Sequence, residues 1–343
     1  VANQRGAALI VAMLVFALAT ALVVAMKGEF NRFYQRSANL LLEEQAQAYL
    51  RSAEEVAGTA LLADHDQDKL RGLQRDDLTE AWYPDPAAPP PTQPLDEGWM
   101  SGRLEDLQGR FNLNHLAVQP SAQEAATNSL TPAQQQFIRL LQALGEPEVS
   151  EQDAILITQS VSDWLDADFE SRENGAEDEY YGAQTPAYRT ANRAMYSVSE
   201  LRAVANITPQ IYRALAPWVT VWPREPATLN IHTAPAMVLR SINADKDLSP
   251  LSEAEGASLV ESRGDTSVPR QSNFKDKSAF FTDPVLAGKS ANMAGIKALV
   301  GETSNYFLLD AEVEVAGRNM RLYSVLDRSG RKISALYRVS GSL

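Results

Sequence analysis

The sequence has no cysteine in 343 residues, which excludes disulfides, thiolate nucleophiles and cysteine-ligated zinc or iron–sulfur centres. Histidine is almost as scarce. His65, His115 and His232 stand far apart, fit no metal-binding spacing, and read as surface or hydrogen-bonded structural residues. Basic residues fall short of acidic ones, 31 against 44, giving a net charge of −13. That balance repels nucleic acid and anionic headgroups and favours cations as charged partners. The motifs G-x-S-x-G, G-x-G-x-x-G and H-E-x-x-H are missing. Ala287-Gly288-Lys289-Ser290 has the ending of a phosphate loop, but Asp283 stands where the first glycine is required.

What is present first is an uncharged run, Ala7 to Met26, between Arg5-Gly6 and Lys27. Twenty residues at about 1.5 Å each span roughly 30 Å as a helix, the thickness of a bilayer's hydrocarbon core. The alternative, a cleaved signal peptide, has an apolar region of only about 7–15 residues. Beyond Lys27 the periodicity continues through Phe30, Phe33, Tyr34, Leu41, Tyr49, Ala53 and Val56, with Glu43, Glu44, Arg51 and Glu54 mostly between. A single spine from Ala7 to about Leu62, roughly 80 Å long, is expected, its second half lying against a head.

A charged stretch and the proline-rich segment Pro84 to Pro94 read as a linker. Gly102 to Asn114 reads as a short hairpin turning at Gln108-Gly109. Helices are expected from Thr131 to Gly145 and Ser150 to Leu165, then at Val198–Ala205, Pro209–Ala216, Ala234–Ile242 and Glu253–Ser262. Three β-rich runs close the chain, separated by the turn sequences 316–319 and 328–331, and predict an antiparallel meander. Phe111-Asn112-Leu113-Asn114 and Leu229-Asn230-Ile231-His232 echo one another as two passages from strand to helix.

The densest chemical feature is Asp163 to Tyr181, where eight carboxylates face Arg172 alone. Such crowding needs a neutralising cation or screening water. Calcium, with six to eight oxygen ligands in flexible geometry, fits this donor set. The candidate ligands are Asp163, Asp166, Asp168, Glu173, Glu177, Asp178 and Asn192, with Asn174 and carbonyls near Gly175 able to complete a shell. Counted from Asp166 the spacing approaches an EF-hand, but Ser171 replaces the required glycine. A solvated acidic loop is the plainer reading; Trp164, Leu165, Tyr180 and Tyr181 argue for a loop pinned to a core. A pair of these carboxylates could instead serve a glycosidase, but a catalytic acid needs an apolar pocket that eight charges do not provide. Leu229 to Thr233 also has the opening of a helix-hairpin-helix module, yet 243–247 lacks the glycines that approach phosphate, leaving a structural helix pair.

Together these residues resemble the K-type minor pseudopilins of bacterial type II secretion, the general secretion pathway protein K family. The resemblance rests on Gln4-Arg5-Gly6 before Ala7-Ala8-Leu9-Ile10, on Trp164 to Asp168, Gly175 to Asp178, Tyr188 to Asn192, and Leu229 to Ala234. It implies an α+β, pilin-like fold: a long N-terminal α-helix packed on an antiparallel sheet, with a large inserted α-helical domain. The implied division is a prepilin leader at 1–6, a transmembrane part at 7–26, amphipathic helix and first pilin-like part at 27–118, the insertion at 119–300 and the last strands at 301–343.

The resemblance also implies processing by a prepilin peptidase between Gly6 and Ala7, with N-methylation of Ala7, and calcium in the acidic region. Ordinary pilins carry glutamate at the fifth mature position, which here is Val11. Its absence implies a subunit that does not repeat along a filament. The implied role is a non-enzymatic tip component of the pseudopilus, a single-pass inner-membrane protein with a periplasmic head. Its partners would be the I-type and J-type minor pseudopilins and other pseudopilins, and not nucleic acid. The rival expectation is a membrane-tethered periplasmic hydrolase that uses the acidic loop.

Overall fold

The computed structural model describes residues 5–83, 90–118, 130–264, 274–330 and 332–341. The first four residues of the expected leader, part of the proline-rich stretch and the expected start of the insertion at 119 lie outside them.

One helix, α1 (Arg5–Arg71, 67 residues), runs unbroken through Gly28 for roughly 100 Å. Its apolar first part is long and apolar enough to cross a membrane, and the head buries none of it. The head first meets α1 at Asn39, which accepts from Arg318 Nη2 at 2.6 Å, and at half-buried Leu42; full burial begins at Ala46. Ala46, Leu50, Ala53, Ala57 and Leu61, at helical steps of three and four, then meet the sheet. Phe30, Phe33, Tyr34 and Leu41 stay at least 65% exposed, so the aromatic stripe expected to lie against the head stands free of it.

The sheet has five antiparallel strands in the order β1-β2-β7-β8-β9. These are β1 (Thr92–Leu95), β2 (Gly98–Asp106), β7 (Tyr306–Val315), β8 (Arg318–Asp327) and β9 (Ser334–Ser340). Alternation along β7 sends Phe307, Leu309, Ala311, Val313 and Val315 towards α1, and Leu308 towards the insertion. β7 and β8 join through Ala316-Gly317, both with positive φ (51° and 77°), as a tight two-residue hairpin requires. Glu54, on the face of α1 against the sheet, is held by Arg338 (2.8 Å) and Ser324, which keep its carboxyl below the usual carboxylate range despite its burial.

The expected hairpin at Gln108-Gly109 is displaced. Asp96-Glu97 makes the turn between β1 and β2, and Leu107–Gly109 is a short 3-10 helix capped by Asp106. Pro94 sits in β1, at the sheet edge, where a missing N–H costs least.

The insertion fills the chain between β2 and β7 and holds two helical cores. In the first, Pro132–Ala143 packs on Glu151–Leu165 through Phe137, Ile138, Leu141, Ala154, Ile157 and Val161, and Phe111 stacks on Phe137 at 5.2 Å. Both helices start where their caps predict: Thr131 and Gln134 form a capping box, and Ser150 accepts from Asp153 N at 3.1 Å. In the second core, Ala236–Leu239 and Glu253–Arg263 pair with three short helices around Leu259, Phe280 and Ile296. Buried Arg139 ties the cores together by donating to the carbonyls of Ser241 (3.2 Å), Ala244 (2.7 Å) and Asp247 (2.6 Å).

The sequence echo is one local device used twice. Phe111–Asn112 (β3) pairs parallel with Val219–Thr220 (β4), and Leu229–Asn230 (β5) with Val300–Gly301 (β6). In each, the asparagine side chain accepts from the amide two residues on, Asn112 from Asn114 N (3.0 Å) and Asn230 from His232 N (2.9 Å). That turns the strand into a helical turn.

Candidate metal centre

The helix Glu151–Leu165 delivers the acidic segment. Glu151 and Asp153 complement its N-terminus, and its apolar face buries Trp164 and Leu165. This fixes Asp163, fully buried, and Asp166 at the helix end. Chain 166–177 then folds back over Asp163. Arg172 pairs through Nη1 with Asp163 and with Asp166 Oδ2 (2.5 Å), while its backbone N–H donates to Asp163 Oδ2 at 3.2 Å. Gly175 closes the fold-back, since a Cβ there would lie 1.7 Å from Asp163 Oδ2. Asn174 N donates to Gln159 Oε1 at 2.9 Å, pinning the loop to the preceding turn of the helix.

Asn192 reaches the same place from more than twenty residues away. It adopts a left-handed φ of 44°, donates its backbone N–H to Trp164 O (3.1 Å) and its Nδ2 to Asp168 O (2.9 Å), and leaves Oδ1 buried without a hydrogen bond. Asp166 Oδ1 and both carboxylate oxygens of Glu177 are likewise buried and without hydrogen bonds. Asp166, Asp168 and Glu177 each place one oxygen within 4.8 Å of the others. Oxygens bound to one calcium at about 2.3–2.6 Å lie no farther apart than about 5 Å, so the set fits this ion.

Of the seven expected ligands, the structure brings Asp166, Asp168, Glu177 and Asn192 together. Asp163 stands behind them, engaged by Arg172. Asp178 accepts from Thr190 N (3.0 Å) and Oγ1 (2.8 Å) and so anchors the segment leading to Asn192. Glu173 points to solvent. Trp164, Tyr181 and Tyr188 pack edge-on beneath, which is the expected pinning to a core. Arg172 stood out in the sequence as the lone base and Gly175 as a possible carbonyl ligand, but their positioning roles, and that of Gln159, were not legible, because their partners are set by the fold-back.

Burial, reinforced by Asp163, Asp166 and Asp168, pushes the Glu177 carboxyl up to about 7; burial also raises Asp163 and Asp166. In ion-free protein this group's contribution to stability is therefore full below about 4.5 and lost as pH rises through about 7. A bound cation favours the ionised form and must displace that proton. Calcium affinity is expected to be about tenfold weaker at pH 6 than at pH 8, read by titration of chelator-treated protein. An affinity equal at both pH values would mean that calcium displaces no proton from Glu177.

The histidines sit away from this centre. His115 Nε2 accepts from Ala227 N at 2.8 Å, which requires that nitrogen unprotonated; His232 is buried beside Glu302; His65 is exposed.

A long helix laid across one face of an antiparallel sheet, with its apolar first part free and a helical insertion on the other face, defines a pilin-like protein of the minor-pseudopilin type. The family described as "Type II secretion system (T2SS), protein K" matches residues 109–224. The chain is 32% identical to type II secretion system protein K of Aeromonas hydrophila over 99% of this chain and 98% of that protein. It is 33% identical to the Pseudomonas aeruginosa protein of that name over 95% and 89%. The fold matches a chain in the crystal structure of the GspK-GspI-GspJ complex from enterotoxigenic Escherichia coli with a TM-score of 0.73 and 26% identity, covering 90% of this chain and 100% of that one. The chain belongs to the type II secretion system protein K family.

Proposed function

We propose that this protein is a non-catalytic tip component of the secretion pseudopilus, joined through its spine to I-type and J-type minor pseudopilins and nucleating or capping the filament for export across the outer membrane. The observation that carries this reading is the free stripe Phe30, Phe33, Tyr34 and Leu41: it lies beyond the membrane-length run, and the protein's own head leaves it uncovered. Partner spines are the natural cover for such a stripe. The insertion adds bulk that would clash within a packed shaft, and Val11 lacks the charge that would recruit a neighbour's terminal amine.

Before assembly the apolar run holds the protein in the inner membrane with its head in the periplasm, after the peptidase cuts between Gly6 and Ala7 and Ala7 is methylated. Calcium stabilises the head through Asp166, Asp168, Glu177 and Asn192. When bound, it supplies positive charge to Asp166 Oδ1, Asn192 Oδ1 and the Glu177 carboxylate, which otherwise lack partners; the chain's own residues orient those oxygens.

Co-expression with the I-type and J-type partners tests the role. A stable ternary complex is expected from the wild type, and Phe33→Asp with Leu41→Asp should abolish it while leaving the head's melting temperature unchanged. Immunolabelling that placed many copies along the filament shaft would refute a tip position. Intact mass of protein from its native membrane should show a chain beginning at methylated Ala7.

A further inference from the structure

The buried face of α1 changes chemistry at its end. The apolar positions run Ala46, Leu50, Ala53, Ala57, Leu61, and the next two positions on that face are Asp64 and Asp68, only 6% and 7% exposed. Carboxylates placed on a core-facing stripe need compensation. Asp76 and Glu80, from the segment that follows α1, come to meet them. One oxygen from each of the four residues lies within 4.8 Å of the rest.

The donors at hand do not satisfy this cluster. Asp76 is provided for, with Arg328 on Oδ1 and Ser304 N donating to Oδ2 at 2.7 Å. Glu80 accepts from Asp77 N (3.0 Å) and Trp82 Nε1 (2.5 Å). Asp64 Oδ2, by contrast, is buried and receives no hydrogen bond, with Arg328 Nη1 standing off at 3.7 Å. The Asp68 carboxylate, like that of Asp64, has the Glu80 carboxyl, itself an acid, as its side-chain partner. Arg75 is engaged by Asp77 at 2.9 Å. Four carboxylates thus share one close guanidinium, and the least satisfied oxygens are those that α1 itself carries inward.

We propose that this cluster is a second divalent-cation site, separate from the acidic loop and of the calcium type. The argument stands independently of the loop site. The mutual oxygen separations match a single calcium shell of about 2.3–2.6 Å radius. Magnesium, which keeps several waters in a tighter octahedron, suits a buried all-protein cluster poorly. The ion clamps the last two turns of the spine to the segment leading into β1 and, through Asp76 and Arg328, to the end of β8.

The full chain in detergent, stripped with a chelator, is titrated with terbium and excited through tryptophan, and bound calcium is counted by equilibrium dialysis. Trp82, bonded to Glu80, sensitises this site, whereas Trp164 lies beside the other. Trp82→Phe should remove one component of the terbium emission without changing the calcium count. Asp64→Asn with Asp68→Asn should bind one equivalent fewer than wild type, and Glu177→Gln should retain that equivalent. Should the double variant fail to fold, Glu80→Gln, which keeps the size of the side chain, is counted in its place. An unchanged count in the Asp64/Asp68 or Glu80 variants, or terbium emission indifferent to Trp82→Phe, overturns the proposal. A double variant that melts higher than wild type with its count unchanged also overturns it, by showing that protons rather than a metal occupy the cluster.

Discussion

Gly175→Ala should uncouple the acidic loop from calcium while leaving the rest of the head folded. The added methyl would meet Asp163 at 1.7 Å, and Asp163 has nowhere to go, being fully buried on a helix and held by Arg172. The loop must therefore open, carrying Glu177 away from Asp166. A loss of roughly 2–3 kcal/mol in the calcium-loaded protein is expected, in line with forced overpacking. The sharper readout is differential: wild type melts at a higher temperature with calcium than with chelator, and in the variant that shift shrinks by the share that the acidic loop contributes. A variant that kept the wild-type calcium shift would show that the fold-back over Asp163 is not what gathers the ligands.

A second large effect is expected at Arg328. It is buried, pairs with Asp76 and more distantly with Asp64, donates to Ser304 O at 2.7 Å, and lies over the Phe307 ring at 4.9 Å. Arg328→Met preserves much of the volume but strands two carboxylates in the interior. Removing one partner of a buried ion pair costs about 3–5 kcal/mol, most of it the penalty of the charges left behind. Urea denaturation in chelator should show the full loss. Asp76→Asn in the same background should recover part of it, and no recovery would mean that Arg328 acts by packing alone.

What could be read from the sequence was what is encoded locally. The apolar run, the caps at Thr131 and Ser150, and the three closing strands each carry their signal within a dozen residues, and the fold follows them. The end of α1 was not legible: Asp64, Asp66 and Asp68 read as a charged stretch, although Asp64 and Asp68 continue the buried stripe. The β1–β2 hairpin was hidden because Asp96-Glu97 is no favoured hairpin pair and Pro94 disguises an edge strand. At the candidate metal centre, composition identified the acidic segment, but only tertiary structure could separate the converging oxygens of Asp166, Asp168, Glu177 and Asn192 from Asp163, Glu173 and Asp178. The aromatic stripe was misassigned for a sound reason: packing against the head is the usual cover for such residues, and here the head leaves Phe30, Phe33, Tyr34 and Leu41 exposed.

The interruption of the sheet by the insertion has a consequence in time. Asp106 and Phe307 are register partners although some 200 positions separate them. Closing so long an interval costs little extra equilibrium stability, because that cost grows only with the logarithm of length, but such distant pairings form slowly. As the chain emerges from its N-terminus, α1 and the β1–β2 hairpin appear first, whereas β7, β8 and β9 emerge last. Until then the inward face of α1, from Ala46 to Leu61, has only one hairpin to shelter it. Nascent copies are therefore most vulnerable to misassociation just before synthesis ends, and a premature stop that removes the final strands should leave a tethered, unfinished head suited to degradation rather than assembly.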